Sequence, residues 1–196
     1  ISALFGFIEH TNETDKPGRR AKELAANEDL VECFKVFLYN FQYPGAHIKP
    51  KNVLEQIENG IHFKPAQYIL KMLKFANREG GNSVGITKYE ACHCIFNDLR
   101  VTRDNEGVEK TWERILVNRQ NKVEYDQTGD VVRYAGDILD YMEIANLLKT
   151  YDSYTYYLNT LEEEAIIKFI ESTEWFGGYD EMIEKKAGTL DAEEVC

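Results

Sequence analysis

Apolar residues recur at helical spacing along most of the chain, and the first clear stretch is residues 29–42. There Phe34, Phe37, Leu38 and Phe41 fall at i, i+3, i+4 and i+7, on one face of a helix that Pro44-Gly45 stops. Ile69, Met72, Leu73 and Ala76 repeat the spacing and predict a helix over 65–78, ended by Gly80-Gly81. Thr87-Lys88-Tyr89-Glu90 is a capping box, in which hydroxyl and carboxylate each satisfy a backbone N–H, and it opens a helix over 88–98. Val108, Trp112, Ile115 and Leu116 form the inward face predicted for a helix at 105–120. Over 130–146 the apolar stripe is wide: Val131, Tyr134, Ala135, Ile138, Tyr141, Met142 and Ala145, with Asp130, Arg133, Asp137 and Asp140 opposite.

Weaker patterns fill the gaps. A helix over 18–27 carries Arg19, Arg20 and Lys22 outward and Ala21, Leu24 and Ala25 inward. The connector 46–62 holds a short helix near 50–59 with Pro50 in its first turn. Residues 4–16 read as a hairpin. So do residues 147–158, where aromatic and β-branched residues flank Asp152-Ser153 and predict a tight turn. A second capping box, Thr160 to Glu163, opens a last helix with Ile166, Phe169 and Ile170 inside. The order helix, helix, extra helix, helix, hairpin is that of a helix-turn-helix followed by a β wing. The expected fold is mainly α with short β-hairpins, built from winged-helix units. Residues 1–62 would be the tail of a first unit with linking helices, 63–172 a second, and 173–196 an acidic, partly ordered tail.

Charge changes this picture. The 196 residues carry a net charge of −11, which by itself disfavours a polyanionic partner. The charge is uneven: residues 1–122 hold 18 Lys and Arg against 16 Asp and Glu, and residues 123–196 hold 5 against 18. A polyanion would therefore meet the first part, and the second would face water or protein. Of the four cysteines, Cys33, Cys92 and Cys94 sit in apolar helical patterns and Cys196 is the last residue, a usage that suggests a reducing, cytoplasmic setting. No apolar run approaches the ~20 residues of a membrane span. The first residues show neither a starting Met nor a signal peptide, and are expected to be the start of an excised fragment.

Gly18-Arg19-Arg20-Ala21-Lys22-Glu23-Leu24-Ala25-Ala26-Asn27, then Phe34-Lys35-Val36-Phe37-Leu38 and Asn40-Phe41-Gln42-Tyr43-Pro44, resemble the N-terminal recognition region of the AlwI-like type IIS restriction endonucleases. The resemblance continues through Lys64-Pro65-Ala66-Gln67-Tyr68-Ile69-Leu70, Gly80-Gly81, Thr87-Lys88 and Asp130-Val131-Val132-Arg133-Tyr134 to Leu158-Asn159. It covers most of residues 5–170, and Gln42-Tyr43-Pro44 with its preceding helix is its most specific element. It implies a fragment that recognises a short asymmetric site in double-stranded DNA. Cleavage would belong to a separate Mg²⁺-dependent nuclease domain of the parent hydrolase, so this chain would itself hold no cofactor and no catalytic residue. Its partners would be DNA and the parent's other domains, and no membrane.

The residues expected to contact DNA are Arg19, Arg20, Lys22, Lys88, Arg100, Arg103, Lys110, Arg114, Arg119 and Lys122. Lys110 and Arg114, at i and i+4, read equally as phosphate contacts or as an exposed helical face with Glu106 pairing to Lys110. Arg100 and Arg103, with Thr102 and Asn105, suit phosphates but are also ordinary loop residues. The acids Asp126, Asp130, Asp137, Asp140 and Glu143 raise a Mg²⁺ nuclease centre, yet Asp137, Asp140 and Glu143 lie on a helix with no lysine following, which reads as a solvated face. Cys92-His93-Cys94 has the wrong spacing for a zinc knuckle and reads as two core cysteines. Tyr151, Tyr154, Tyr156 and Tyr157 either stack on bases or pack across the hairpin. The alternative to DNA recognition is a winged-helix module that docks on protein through its acidic half.

Overall fold

Pro65 starts the helix around which the rest is arranged, its fixed φ suiting a first helical position and its missing N–H costing nothing there. In the computed structural model, which describes residues 8–10, 14–27, 29–44, 55–80, 83–152 and 154–173, this helix runs Pro65–Gly80. Ile69, Leu70, Met72, Leu73 and Ala76 are fully buried along it. Each large apolar side chain so buried stabilises the fold by about 1.5–3 kcal/mol. Before it come the paired strands β1 (Ile8–His10) and β2 (Asp15–Pro17), then α1 (Arg19–Asn27), α2 (Leu30–Asn40) and α3 (residues 55–58). The Pro65–Gly80 helix is α4. After it come β3 (Gly85–Thr87), α5 (Lys88–Ala91), a π-helical turn (Cys92–Phe96), α6 (Leu99–Thr102), α7 (Val108–Gln120) and α8 (Asp130–Ile144). The hairpin β4 (Leu148–Thr150) and β5 (Thr155–Leu158) leads through a 3₁₀ turn (Thr160–Glu162) to α9 (Glu163–Glu171).

Residues 29–42 form α2 as the spacing requires. Asp29 caps it by accepting the Glu32 N–H at 2.9 Å, and Phe34, Phe37, Leu38 and Phe41 enter the core. The Gln42-Tyr43-Pro44 segment then crosses to residue 63, where Tyr43 and Phe63 exchange backbone hydrogen bonds of 2.7 and 2.9 Å. Helix α4 packs on α7 and α9, while α8 lies between α2 and α5. Phe34 stacks on Tyr141 at 5.2 Å where α2 meets α8.

Strand β5 is the centre of a three-stranded antiparallel sheet in the order β3-β5-β4. Ile86, Leu148, Tyr156 and Leu158 turn inward from it. Gly85 is required where β3 meets β5: a Cβ there would lie 2.7 Å from Thr155 Cγ2 and Tyr157 Cε1. The result is a mainly helical fold with a small antiparallel sheet and one paired ribbon at its start.

Several sequence expectations need correction. The Thr160–Glu163 capping box does not form; Asn159 caps a 3₁₀ turn instead, and α9 begins at Glu163 without a side-chain cap. The helix expected over 88–98 changes at Cys92 into a π-turn closed by Asn97 N–H to Cys92 C=O, and a separate α6 follows. Leu116, Val131 and Ala25, expected inside, are exposed, because the buried stripes of their helices are narrower than assumed. The hairpin of 147–158 forms, but in the register Thr150 to Tyr156, wider than a two-residue turn. Asp152 is the cause: its carboxylate accepts the N–H groups of Tyr154 and Thr155 at 3.0 and 2.8 Å. Residues 1–7 and 50–54, and the tail from residue 174, lie outside the described residues.

Candidate nucleic-acid interface

Two of the ten residues expected to meet DNA, Arg114 and Arg119, are turned onto carboxylates elsewhere in the fold, although Arg119 keeps 37% of its side chain exposed. Arg114 stands one turn after Glu109 and Lys110 on α7, and its side chain is 17% exposed. It meets Glu106 at 2.5 Å, Asp98 at 3.0 Å and the Cys94 carbonyl at 3.2 Å. Thr111 and the Tyr68 hydroxyl complete the network, and burial pushes the Tyr68 phenol up to about 12. Arg119, on the last turn of the same helix, forks onto Glu90 at 2.6 and 2.8 Å and reaches the Gly85 carbonyl at 2.8 Å. Its guanidinium also lies over Trp112.

Glu90 is therefore used twice. Its carboxylate accepts the Thr87 N–H at 2.9 Å, and the Thr87 hydroxyl accepts the Glu90 N–H at 3.2 Å, which is the expected capping box. The same carboxylate holds Arg119 and so joins β3, α5 and α7. The box was legible in the sequence; the ion pair, across 29 residues, was not.

Arg100 and Arg103 point outward. Arg100 donates from Nε to Asp98 Oδ1 at 2.8 Å and from Nη2 to Asp98 Oδ2 at 2.6 Å, with its side chain 57% exposed. Arg103 repeats the pattern on Asp104 at 2.7 and 3.1 Å, 45% exposed. Asp98 is only 7% exposed, caps α6 through the Arg100 N–H at 3.0 Å, and receives Arg114 from behind. Burial alone would raise the Asp98 carboxyl; hydrogen bonds from Arg100, with Arg114 beside them, more than reverse this and hold it below the usual carboxylate range. Asp98 is the residue that sequence reasoning missed. Its signal was the spacing Asp98-Leu99-Arg100, an acid two residues before an arginine at a helix start.

The other cations are lysines. Lys22 on α1, Lys110 on α7 and Lys122 just beyond α7 are exposed and make no ion pair among the described residues. Lys88 opens α5 with its ammonium over the Tyr89 ring at 5.3 Å. The side chains of Arg19 and Arg20 lie outside the described residues. Asp98 brings Arg100 and Arg114 together, and Glu90 ties Arg119 to the helix that Lys88 begins. No hydrogen bond or ion pair joins Lys22 to either group among the described residues.

On the acidic helix α8, Asp130, Arg133 and Asp140 are exposed as expected of a solvated face, but two of its acids are also engaged. Asp140 accepts the Tyr156 hydroxyl at 2.5 Å, and Glu143 accepts both N–H and hydroxyl of Thr150, at 3.2 and 2.6 Å. These acids fasten β4 and β5 to α8, so they do not fit a Mg²⁺ centre that needs open carboxylates and a lysine. Asp126 is turned toward Thr128. Cys92 packs with Val132 and Ala135, while Cys94 faces the main core. On the hairpin, Tyr156 is buried and Tyr157 tilts against Tyr151 at 5.5 Å; Tyr151 and Tyr154 stay exposed at the tip. A groove of about 470 Å³ between α2 and α9 is lined by Val36, Tyr39, Leu161 and Phe169, with the Lys35–Glu162 pair at 2.8 Å. Its walls carry none of the ten cations expected to meet DNA.

The chain is a mainly helical domain with a small sheet, and both its sequence and its fold have counterparts among restriction endonucleases. Over residues 1–196 the chain matches the family described as restriction endonuclease BpuJI, N-terminal, and it belongs to that family. Among solved structures it is similar to the BpuJ1 endonuclease binding domain, determined in complex with pyrene- and phenanthrene-modified DNA. The TM-score is 0.73 at 23% identity, with 90% of this chain and 65% of that chain covered, so the likeness speaks for the fold. This chain thus spans about 65% of the length of that binding domain. No curated protein sequence matches it. No helix among the described residues is long and apolar enough to cross a membrane.

Proposed function

We propose that this chain is a sequence-specific double-stranded DNA-recognition region of a type IIS restriction endonuclease. The observation that carries the reading is the family match over the whole chain, and the DNA held by the structurally similar binding domain supports it. The arrangement α4, β3, α5, α7, α8, β4, β5 with sheet order β3-β5-β4 supports a winged-helix reading of residues 63–172, with 147–158 as the wing. In such a unit the helix before the wing enters the major groove. Here that helix is α8, which is packed by α2 and whose Asp140 and Glu143 hold the hairpin. The DNA is therefore assigned to the cationic edge of α5–α7, with Lys88, Lys110 and Lys122 on phosphates and Arg100 and Arg103 beside them. Lys22, Arg19 and Arg20 on α1 extend this assignment. The kinship with AlwI-like enzymes rests on Gly18–Asn27 and Gln42-Tyr43-Pro44.

Cleavage belongs, in this reading, to a Mg²⁺-dependent domain elsewhere in a cytoplasmic parent enzyme. The test uses the 196-residue chain with a fluorescent duplex at low salt, and with supercoiled plasmid plus Mg²⁺. Binding that weakens steeply as salt rises, with the plasmid intact, is the expected result. No binding at low salt, or nicking abolished by Asp137→Ala, contradicts it.

A further inference from the structure

The two outward arginines are held in the same unusual way. A guanidinium has five N–H donors: one on Nε and two on each Nη. In both Arg100 and Arg103 the side-on edge, Nε with Nη2, is spent on a neighbouring carboxylate. Three N–H groups remain, and two of them, one from Nη1 and one from Nη2, form the end-on edge that points away from the backbone. Those two parallel donors match the O6 and N7 acceptors that guanine presents in the major groove. A phosphate contact needs no such fixing, because a mobile cation serves it as well.

The support behind the first pair is deep. Asp98 is nearly buried, anchored by the Arg100 backbone N–H, and braced by Arg114 at 3.0 Å. Arg114 is braced in turn by Glu106 and the Cys94 carbonyl. Arg100 therefore stands as the exposed end of a carboxylate–guanidinium chain rooted in α7. Such a chain fixes the plane of the exposed group before any partner arrives, so little rotamer freedom is given up on binding. Arg103 stands one helical turn further on and is held by Asp104 alone.

We infer that Arg100 and Arg103 are guanine-reading residues, with Asp98 and Asp104 as the positioning residues that aim their end-on edges at bases. This rests on the reading of the chain as a DNA-recognition region and names which of its cations carry sequence information.

The test is selection of duplexes from a library with a randomised core of about one helical turn, the spacing over which a major-groove reader acts. It uses the wild-type chain and the variants Arg100→Ala, Arg100→Lys, Arg103→Ala and Asp98→Asn. Thermal melting of each variant checks that it is folded. The wild type enriches a motif containing guanine columns. Arg100→Ala loses the preference at one column, by about tenfold or more, and keeps the others. Arg103→Ala does the same at a different column. Arg100→Lys retains general duplex affinity but loses most of that column, since an ammonium cannot form the fork. Asp98→Asn, where folded, weakens the same column as Arg100→Ala. A motif unchanged by Arg100→Ala and Arg103→Ala, with affinity lowered equally for every duplex, overturns the inference and leaves the DNA reading standing. Retention of duplex without any motif overturns it likewise. Failure of the wild type to retain any duplex overturns the DNA reading itself.

Discussion

Four arginines between residues 100 and 119 meet carboxylates, and they divide into two regions with opposite roles. In the inner region, Arg114 and Arg119 face Asp98, Glu106 and Glu90, whose side chains are 7, 12 and 6% exposed. In the outer region, Arg100 and Arg103 rise to 57 and 45% exposure from Asp98 and Asp104. The residue types and the bonds are alike; what differs is how far along the chain each arginine reaches. Where the arginine reaches acids and carbonyls distant in sequence, as Arg114 and Arg119 do, the pair fastens separate elements together. Where the arginine is the exposed end, the acid orients a donor toward solvent and whatever ligand comes from there. Asp98 belongs to both regions and couples them.

The comparison predicts where each substitution is felt. Arg114→Ala has the largest effect, because it takes away the guanidinium that Glu106 meets and leaves the nearly buried Asp98 to Arg100 alone. A loss of about 3–5 kcal/mol is expected in urea unfolding. A loss below about 1 kcal/mol would place Arg114 in the outer region after all. Next is the acid dependence of Asp98. Its folded pKa is lowered, so its contribution is complete above the unfolded value of ~4 and disappears as pH falls through the folded value. The stability gap between wild type and Asp98→Asn should be full at neutral pH and should close below about pH 4. A gap that stays constant to about pH 3 would mean that the Arg100–Asp98–Arg114 chain is not ionic. The smallest effect is that of Lys110→Ala, at an exposed position, where stability in urea should change by no more than about 0.5 kcal/mol.

The sequence disclosed the elements far better than the partnerships. The α2 and α4 helices, the Thr87–Glu90 box and the 147–158 hairpin follow from local spacing, and local spacing is what a sequence displays. Thr160–Glu163 has the same letters as the true capping box, yet Asn159 takes the cap because the chain leaves β5 into a 3₁₀ turn. Charge counting pointed to the first 122 residues, but it treats Arg114 like Lys110. Only the fold brings Glu106 and Asp98 onto Arg114, eight and sixteen residues away, and Glu90 onto Arg119. The exposure of Asp130 and Asp140 on α8 was legible, but the bonds of Asp140 and Glu143 were not, for the same reason: Tyr156 and Thr150 reach them only after the hairpin folds back.

The central claim is that DNA meets the cationic edge of α5–α7 and not the acidic helix α8. The most direct measurement is a fluorescence-anisotropy titration of a labelled duplex at several salt concentrations, comparing wild type with Lys110→Ala, Lys122→Ala and Arg133→Ala. Each lysine variant should lower the slope of log affinity against log salt by about one unit, because one phosphate is no longer neutralised by the protein. Arg133, paired with Asp130 at 3.1 Å on α8, should leave both slope and affinity unchanged when replaced. A larger drop in affinity from Arg133→Ala than from the two lysine variants together would contradict the account and bring α8 to the duplex.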